Sequence, residues 1–128
     1  MPYFDPEAVA NLRHIIQHTE ASVVITSSWR HKGFAVMEDV WYSRHMPGIL
    51  EGITPTVTTA FFSIRGHEIL QWLASQEEEI CYVIIDDAND FLPEQTARLV
   101  QTNPYCGLSR IDAERSIEIL THPVITRQ

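Results

Sequence analysis

No unbroken apolar run in this chain is longer than the one from Ile80 to Ile85. That is far short of the roughly 20 residues a membrane-spanning helix needs, so no membrane segment is expected. The N-terminus, "MPYFDPEAVANL", has neither the basic region nor the apolar core of a secretory signal, and a cytoplasmic location is expected. Cysteine is scarce. Cys81 and Cys106 lack metal-type spacing and read as reduced cytosolic thiols, with Cys81 opening a buried strand. Positive charge is also in short supply: Lys and Arg number 9 against 17 Asp and Glu, for a formal net charge of -8. Such a balance argues against a broad surface for a nucleic-acid backbone. It leaves room for phosphate at one local pocket, above all beside a divalent cation. Repeats, linkers and low-complexity tracts are absent too. The 128 residues, 45% of them hydrophobic, therefore read as a single globular domain, 1–128, with enough chain for a core.

What is present alternates. Asp5 is a helix cap, Pro6 suits the first helical position and Glu7 suits the positive end of the dipole. Val9, Leu12, Ile15 and Ile16 make an apolar stripe, and this helix should end near Thr19. "SVVIT" is short, continuous and β-branched, as in a parallel strand covered on both faces. From Gly33 to Pro47 the pattern is helical, with Val36, Met37, Val40, Trp41 and Met46 inward and Gly48 as the stop. "EGITPTVTTA" has β character interrupted by proline, which suits an edge strand or a loop. Gly66 to Ser75 reads as a helix that packs Ile69, Leu70, Trp72 and Leu73. "CYVIID" is a second buried strand and "TARLVQT" a third. "DAERSIEIL" is a last helix, capped by Asp112 and ending before Pro123. Strands alternating with helices give an α/β fold, a three-layer α/β/α sandwich on a mostly parallel, Rossmann-like sheet. In such sheets ligands bind beyond the carboxyl ends of the strands.

Two strands deliver polar residues to that end. After "VVI" come the hydroxyls of Thr26, Ser27 and Ser28, which with turn amides can cradle phosphate oxygens, and Arg30 can add a bidentate charge. A strand end satisfying its own backbone would show the same hydroxyls. After "YVII" come Asp86 and Asp87, whose side chains should point to opposite faces. One can hold magnesium through hard carboxylate oxygens while the other takes loop amides; a turn opener would look alike. Asp90 is a further ligand or a turn residue. Arg65, at a helix start, can aim a cation at a shared anion site, and Glu68 in the same region reads as dipole compensation. His31, His45 and His67 share no metal-type spacing. Trp29, Trp41 and Trp72 read as core or rim packing.

The order of these features resembles the second, third and fourth motifs of the haloacid dehalogenase (HAD) superfamily. It is most similar to the HAD domains of bacterial Swiss Army Knife RNA-repair proteins and to the phosphatase domain of phage polynucleotide kinase-phosphatase. The resemblance rests on "FDPEAVANLRHII", "VVITSSWR", "RGHEILQWL", "YVIIDD" and "LVQTNPYCGLS", nearly the whole chain. It implies magnesium-dependent hydrolysis of phosphate esters, on a phosphorylated small molecule, a nucleotide or a nucleic-acid end. It makes Thr26 or Ser27 the phosphate-binding hydroxyl, Arg65 the third-motif cation, Arg30 a substrate-phosphate ligand, and Asp86 and Asp87 the metal-binding acids. The stretch from about 33 to 63 becomes an insert or small cap over the strand ends.

One part of the pattern is missing. The family's first motif is an apolar strand ending in Asp-x-Asp, which supplies the nucleophile and the general acid-base. No Asp-x-Asp occurs in this sequence, and Asp5 falls at the first helix instead. Ser27 and Cys106 are poor replacements, since no His is placed beside either. The resemblance also puts the missing strand at the centre of the sheet, between "SVVIT" and "CYVIID". The loss is native, or reflects a start set too late, or a shortened chain. The expectation is a phosphatase relative that is inactive or incomplete as this chain and binds magnesium weakly. The alternative is a non-catalytic HAD-fold protein. Its sheet gap, or exposed aromatics around Trp41 and Tyr42, would then take a strand-donating partner or a second copy.

Overall fold

The computed structural model describes residues 5–26, 32–57 and 64–122. Helices alternate with short strands that pair in parallel, so the chain is an α/β protein. It forms two compact units. One draws on Met1–Ala21, Cys81–Asn89 and Ala97–Gln128, and the other on Ser22–Ile80 and Asp90–Thr96. Among the described residues no helix is long and apolar enough to cross a membrane.

In the first unit, α1 (Pro6–Thr19) starts as its local sequence dictates. Asp5 Oδ2 accepts the Ala8 amide at 3.1 Å, and Pro6 stands where its missing N–H costs nothing. The helix closes at Glu20, in the left-handed region at φ 58°, whose N–H returns to the Ile16 carbonyl. Ile15 is buried, whereas Val9, Leu12 and Ile16 are only half-buried. The stripe missed Asn11, a buried polar residue whose Nδ2 donates to the Leu108 carbonyl at 2.9 Å.

The last helix, α4 (Arg110–Thr121), packs on α1 through a face where Ala113 and Ser116 are fully buried. Its cap is Ser109 and not Asp112. Ser109 Oγ accepts the Asp112 amide and Asp112 Oδ2 accepts the Ser109 amide, both at 3.1 Å. This capping box satisfies two helix-end donors at once, which explains why a lone-Asp reading placed the start three residues late.

Strand β3 (Ile84–Asp86) pairs in parallel with β4 (Leu99–Gln101), Ile84 opposite Leu99 and Asp86 opposite Gln101. Both are shorter than the strands expected from "CYVIID" and "TARLVQT". Cys81 is exposed and outside the strand, against the buried position expected of it. Arg98 holds that segment instead, donating to the Tyr82 carbonyl at 3.2 Å with its guanidinium 5.0 Å from the Tyr82 ring centroid. Thr96 to Arg98 belong to a 3₁₀ turn, Pro93–Arg98, which leaves only "LVQ" for the strand.

The α1–α4 pair carries an ionic clasp. Glu114 Oε2 accepts from Arg110 Nε at 3.0 Å and from His14 Nε2 at 2.9 Å. The Arg110 hydrogen bond, followed by that from His14, lowers the Glu114 pKa below its ordinary 4.5. A depressed carboxylate stabilises the fold above its unfolded-state value and loses that contribution as pH falls through the folded one. The unfolding midpoints of wild type and Glu114→Gln should therefore differ slightly and constantly above about pH 4.5, and converge below it. A difference that persists at pH 3 in urea titrations would rule the clasp out as its source.

In the second unit, β1 (Val23–Ile25) pairs in parallel with β2 (Leu50–Ile53). The register runs Val23 to Leu50 and then Val24 to Gly52, so Glu51 is the extra residue, and its carboxylate accepts from Ser22 Oγ. All three residues of β1 are half-buried, against the full covering expected of them.

The crossover contains α2 (Phe34–Ser43), with Met37, Val40 and Trp41 buried. Val36 faces out, contrary to its expected place. The helix stops at Ser43, short of Gly48, which serves the turn into β2 at φ 76°. Trp41 is not an exposed aromatic: it is buried, with Nε1 donating to the Pro47 carbonyl at 3.2 Å. Tyr42 is partly exposed and its hydroxyl accepts the Leu50 amide at 3.0 Å. In α3 (Ile64–Ala74), Ile69 is buried and Trp72 and Leu73 half-buried, while Leu70 is exposed rather than packed. A Cβ on Gly52 would sit 3.2 Å from Trp72 Nε1, so the indole lies directly over β2.

Candidate functional site

The carboxylate pair belongs to the first unit. Asp86 is the last residue of β3 and half-buried; Asp87 follows it and is exposed. Asp86 Oδ1 accepts the Ala88 amide at 2.9 Å, an Asx turn that closes the strand, and its carbonyl accepts the Thr102 amide at 2.9 Å. The Asp87 carbonyl accepts Gln101 Nε2 at 3.2 Å. Parallel pairing with β4 thus fixes the backbone under both acids. Among the described residues no partner contacts the Asp87 carboxylate itself, so it stands in solvent at the carboxyl end of β3.

The hydroxyl and cationic groups belong to the second unit. Thr26 directly follows β1 and is half-buried, and the Ile25 carbonyl before it accepts the Thr54 amide at 3.1 Å. Ser27, Ser28 and Arg30 lie outside the described residues, as do Trp29 and His31. Arg65 is the second residue of α3 and half-buried.

The start of α3 is held by residues that sequence reasoning placed elsewhere. Asp90 serves the start of this helix: its Oδ2 accepts the Arg65 amide at 3.4 Å and its carbonyl accepts the Gly66 amide at 3.1 Å. It caps a helix 25 residues upstream. Gln95, only 1% exposed, donates from Nε2 to the Gly66 carbonyl at 3.0 Å and accepts the Leu92 amide on Oε1 at 2.9 Å. Glu68, read from the sequence as dipole compensation, is buried and accepts the Val57 amide at 3.1 Å. These residues fix the backbone of the helix end that carries Arg65.

A family model described as "HAD domain in Swiss Army Knife RNA repair proteins" matches residues 1–113. The chain belongs to this family. Comparison with curated proteins and with solved structures returns no match. The HAD domain assignment agrees with the α/β architecture and short parallel strands.

Magnesium is the cation that the HAD family implies, so the donor set was tested against it. The chemistry suits it, since two adjacent carboxylates at a strand end offer hard oxygens. The number does not: among the described residues no three His, Cys, Asp or Glu side chains converge as a cation site, and one Asp86 oxygen is already engaged by a loop amide. The described residues of this HAD domain therefore do not by themselves make up a magnesium site.

Proposed function

We propose that this HAD domain recognises the phosphorylated end of a nucleotide or nucleic acid in the cytoplasm, and that the 128-residue chain does not complete phosphate-ester hydrolysis by itself. The observation that carries the reading is the family match over residues 1–113, with β3 ending at Asp86 beside Asp87. In this reading Thr26, Ser27 and Ser28 offer hydroxyls to phosphate oxygens, Arg30 and Arg65 offset their charge, and Asp86 and Asp87 are carboxylates for magnesium. The want of turnover follows from chemistry. Covalent phosphoryl transfer needs an activated nucleophile, and no Asp-x-Asp is present in the sequence.

The test has two arms. With magnesium and p-nitrophenyl phosphate, the wild-type chain should release product no faster than Asp86→Asn. Robust turnover that Asp86→Asn abolishes would overturn the inactive half of the proposal. In calorimetry the wild type should bind magnesium and vanadate, with the magnesium heat reduced in Asp86→Asn; no heat from either would sink the phosphate-site half.

A second reading is favoured by one feature. Among the described residues β1 pairs only with β2, and β3 only with β4. A short sheet with an open edge can accept a further strand, so a non-catalytic interaction protein that takes one from a partner or a second copy is the competing proposal. Sedimentation separates the two: a strict monomer that binds magnesium removes it.

A further inference from the structure

The unit that holds the acids has an unusual surface. Among its described residues the exposed large hydrophobic side chains are Tyr105, 94% exposed, and Ile111, 75% exposed, both in one short stretch. A ring left in water contributes nothing to folding, and the turn beneath Tyr105 is closed by its own hydrogen bonds. Asn103 Oδ1 accepts the Tyr105 amide at 2.7 Å and the Cys106 amide at 3.1 Å. The Asn103 carbonyl accepts the Gly107 amide at 2.8 Å, with Gly107 at φ 70°. The turn is tied at both ends. Thr102 donates to the Asp86 carbonyl, and Leu108 accepts from Asn11 of α1. It follows β4 directly, so it rises from the same strand ends as Asp86 and Asp87. Thr102 is bonded to Asp86, and the chain from Thr102 to Tyr105 spans at most about 11 Å.

We infer that Tyr105 is a stacking platform for the nucleobase of a terminal nucleotide bound beyond the carboxyl ends of β3 and β4, where Asp86 and Asp87 stand. This rests on the proposal of a phosphorylated nucleic-acid end as ligand, and adds that the base next to that phosphate is read by its aromatic face. A solvent-facing phenol on a turn whose backbone is hydrogen-bonded is suited to the task, because every base has a π-face that can stack on it. A platform of this kind selects for a base of any identity over no base, and carries no sequence preference of its own.

Fluorescence anisotropy with short single-stranded RNA tests it, using the full chain with magnesium present. The labelled oligonucleotides end in a phosphorylated nucleotide, a phosphorylated abasic sugar, or either of these without phosphate. Tyr105→Ala should weaken binding to the base-bearing phosphorylated end about tenfold and leave the abasic end within about twofold, while Tyr105→Phe keeps wild-type affinity. Equal losses on base-bearing and abasic ends, no loss in Tyr105→Ala, or no binding of any oligonucleotide would overturn the inference. So would a wild-type dimer that Tyr105→Ala dissolves with RNA affinity unchanged, which would give the residue to a protein contact. The phosphate reading fails separately, if the wild type does not distinguish phosphorylated from unphosphorylated ends. A Tyr105 effect confined to base-bearing ends would still support the platform in that case.

Discussion

Gly66→Ala should lower stability by about 1–3 kcal/mol, the usual cost of forcing atoms into a filled space. The sign is the informative part, because replacing Gly by Ala within a helix ordinarily gains up to about 1 kcal/mol. Gly66 is the third residue of α3, and a Cβ there would lie 2.7 Å from Gln95 Oε1, 2.8 Å from the Leu92 nitrogen and 3.0 Å from Phe91 Cα. Two of these neighbours are backbone atoms. The third belongs to a side chain pinned by two hydrogen bonds. None can retreat without moving the 90–95 segment, which also caps the helix through Asp90. Urea unfolding should show a lower midpoint with the slope unchanged. A raised midpoint would mean that the helix end stands free of this segment.

Gln95→Leu should cost more, about 2–4 kcal/mol, although it replaces a buried amide by an apolar side chain of similar size. The substitution strands the part-buried Leu92 amide at about 1–3 kcal/mol and takes a second donor from the Gly66 carbonyl at about 0.5–1.5 kcal/mol. Small relaxations keep the total below the simple sum. Since both substitutions act on one contact, the double variant should be less destabilised than the two effects added. A midpoint within experimental error of wild type for Gln95→Leu would show that water replaces the amide at no cost, and would contradict its burial.

The elements that could be read from the sequence are those governed by neighbours along the chain. Asp5, Pro6 and Glu7 act within one turn, and α1 starts where they place it. The strand ends were legible for a similar reason: continuous β-branched runs stop where Thr26 and Asp86 begin the polar stretch. Reading failed where the partner is distant. Nothing near Asp90 or Gln95 reveals that both serve α3, and Glu68 looks like any acidic residue near a helix start until Val57 meets it. Asn11 interrupts an apolar stripe and is yet more buried than three of its members, because Leu108 supplies an acceptor. The exposure of Tyr105 was not legible, since tyrosine is intermediate between buried and exposed by residue type.

The way the chain is divided between its two units bears on synthesis. The unit containing β1 and β2 is drawn almost wholly from one continuous segment, Ser22–Ile80, and needs only Asp90–Thr96 to finish. The other pairs α1 with α4, which is made after all four strands. During translation α1 must therefore wait, its apolar face unmatched, until α4 has left the ribosome. The second unit can form in that interval, and the return of α4 onto α1, with burial of Ala113 and Ser116, becomes the closing event of folding. A nascent chain stalled before Ser109 would retain the Trp41 core but leave α1 without the helix it packs on.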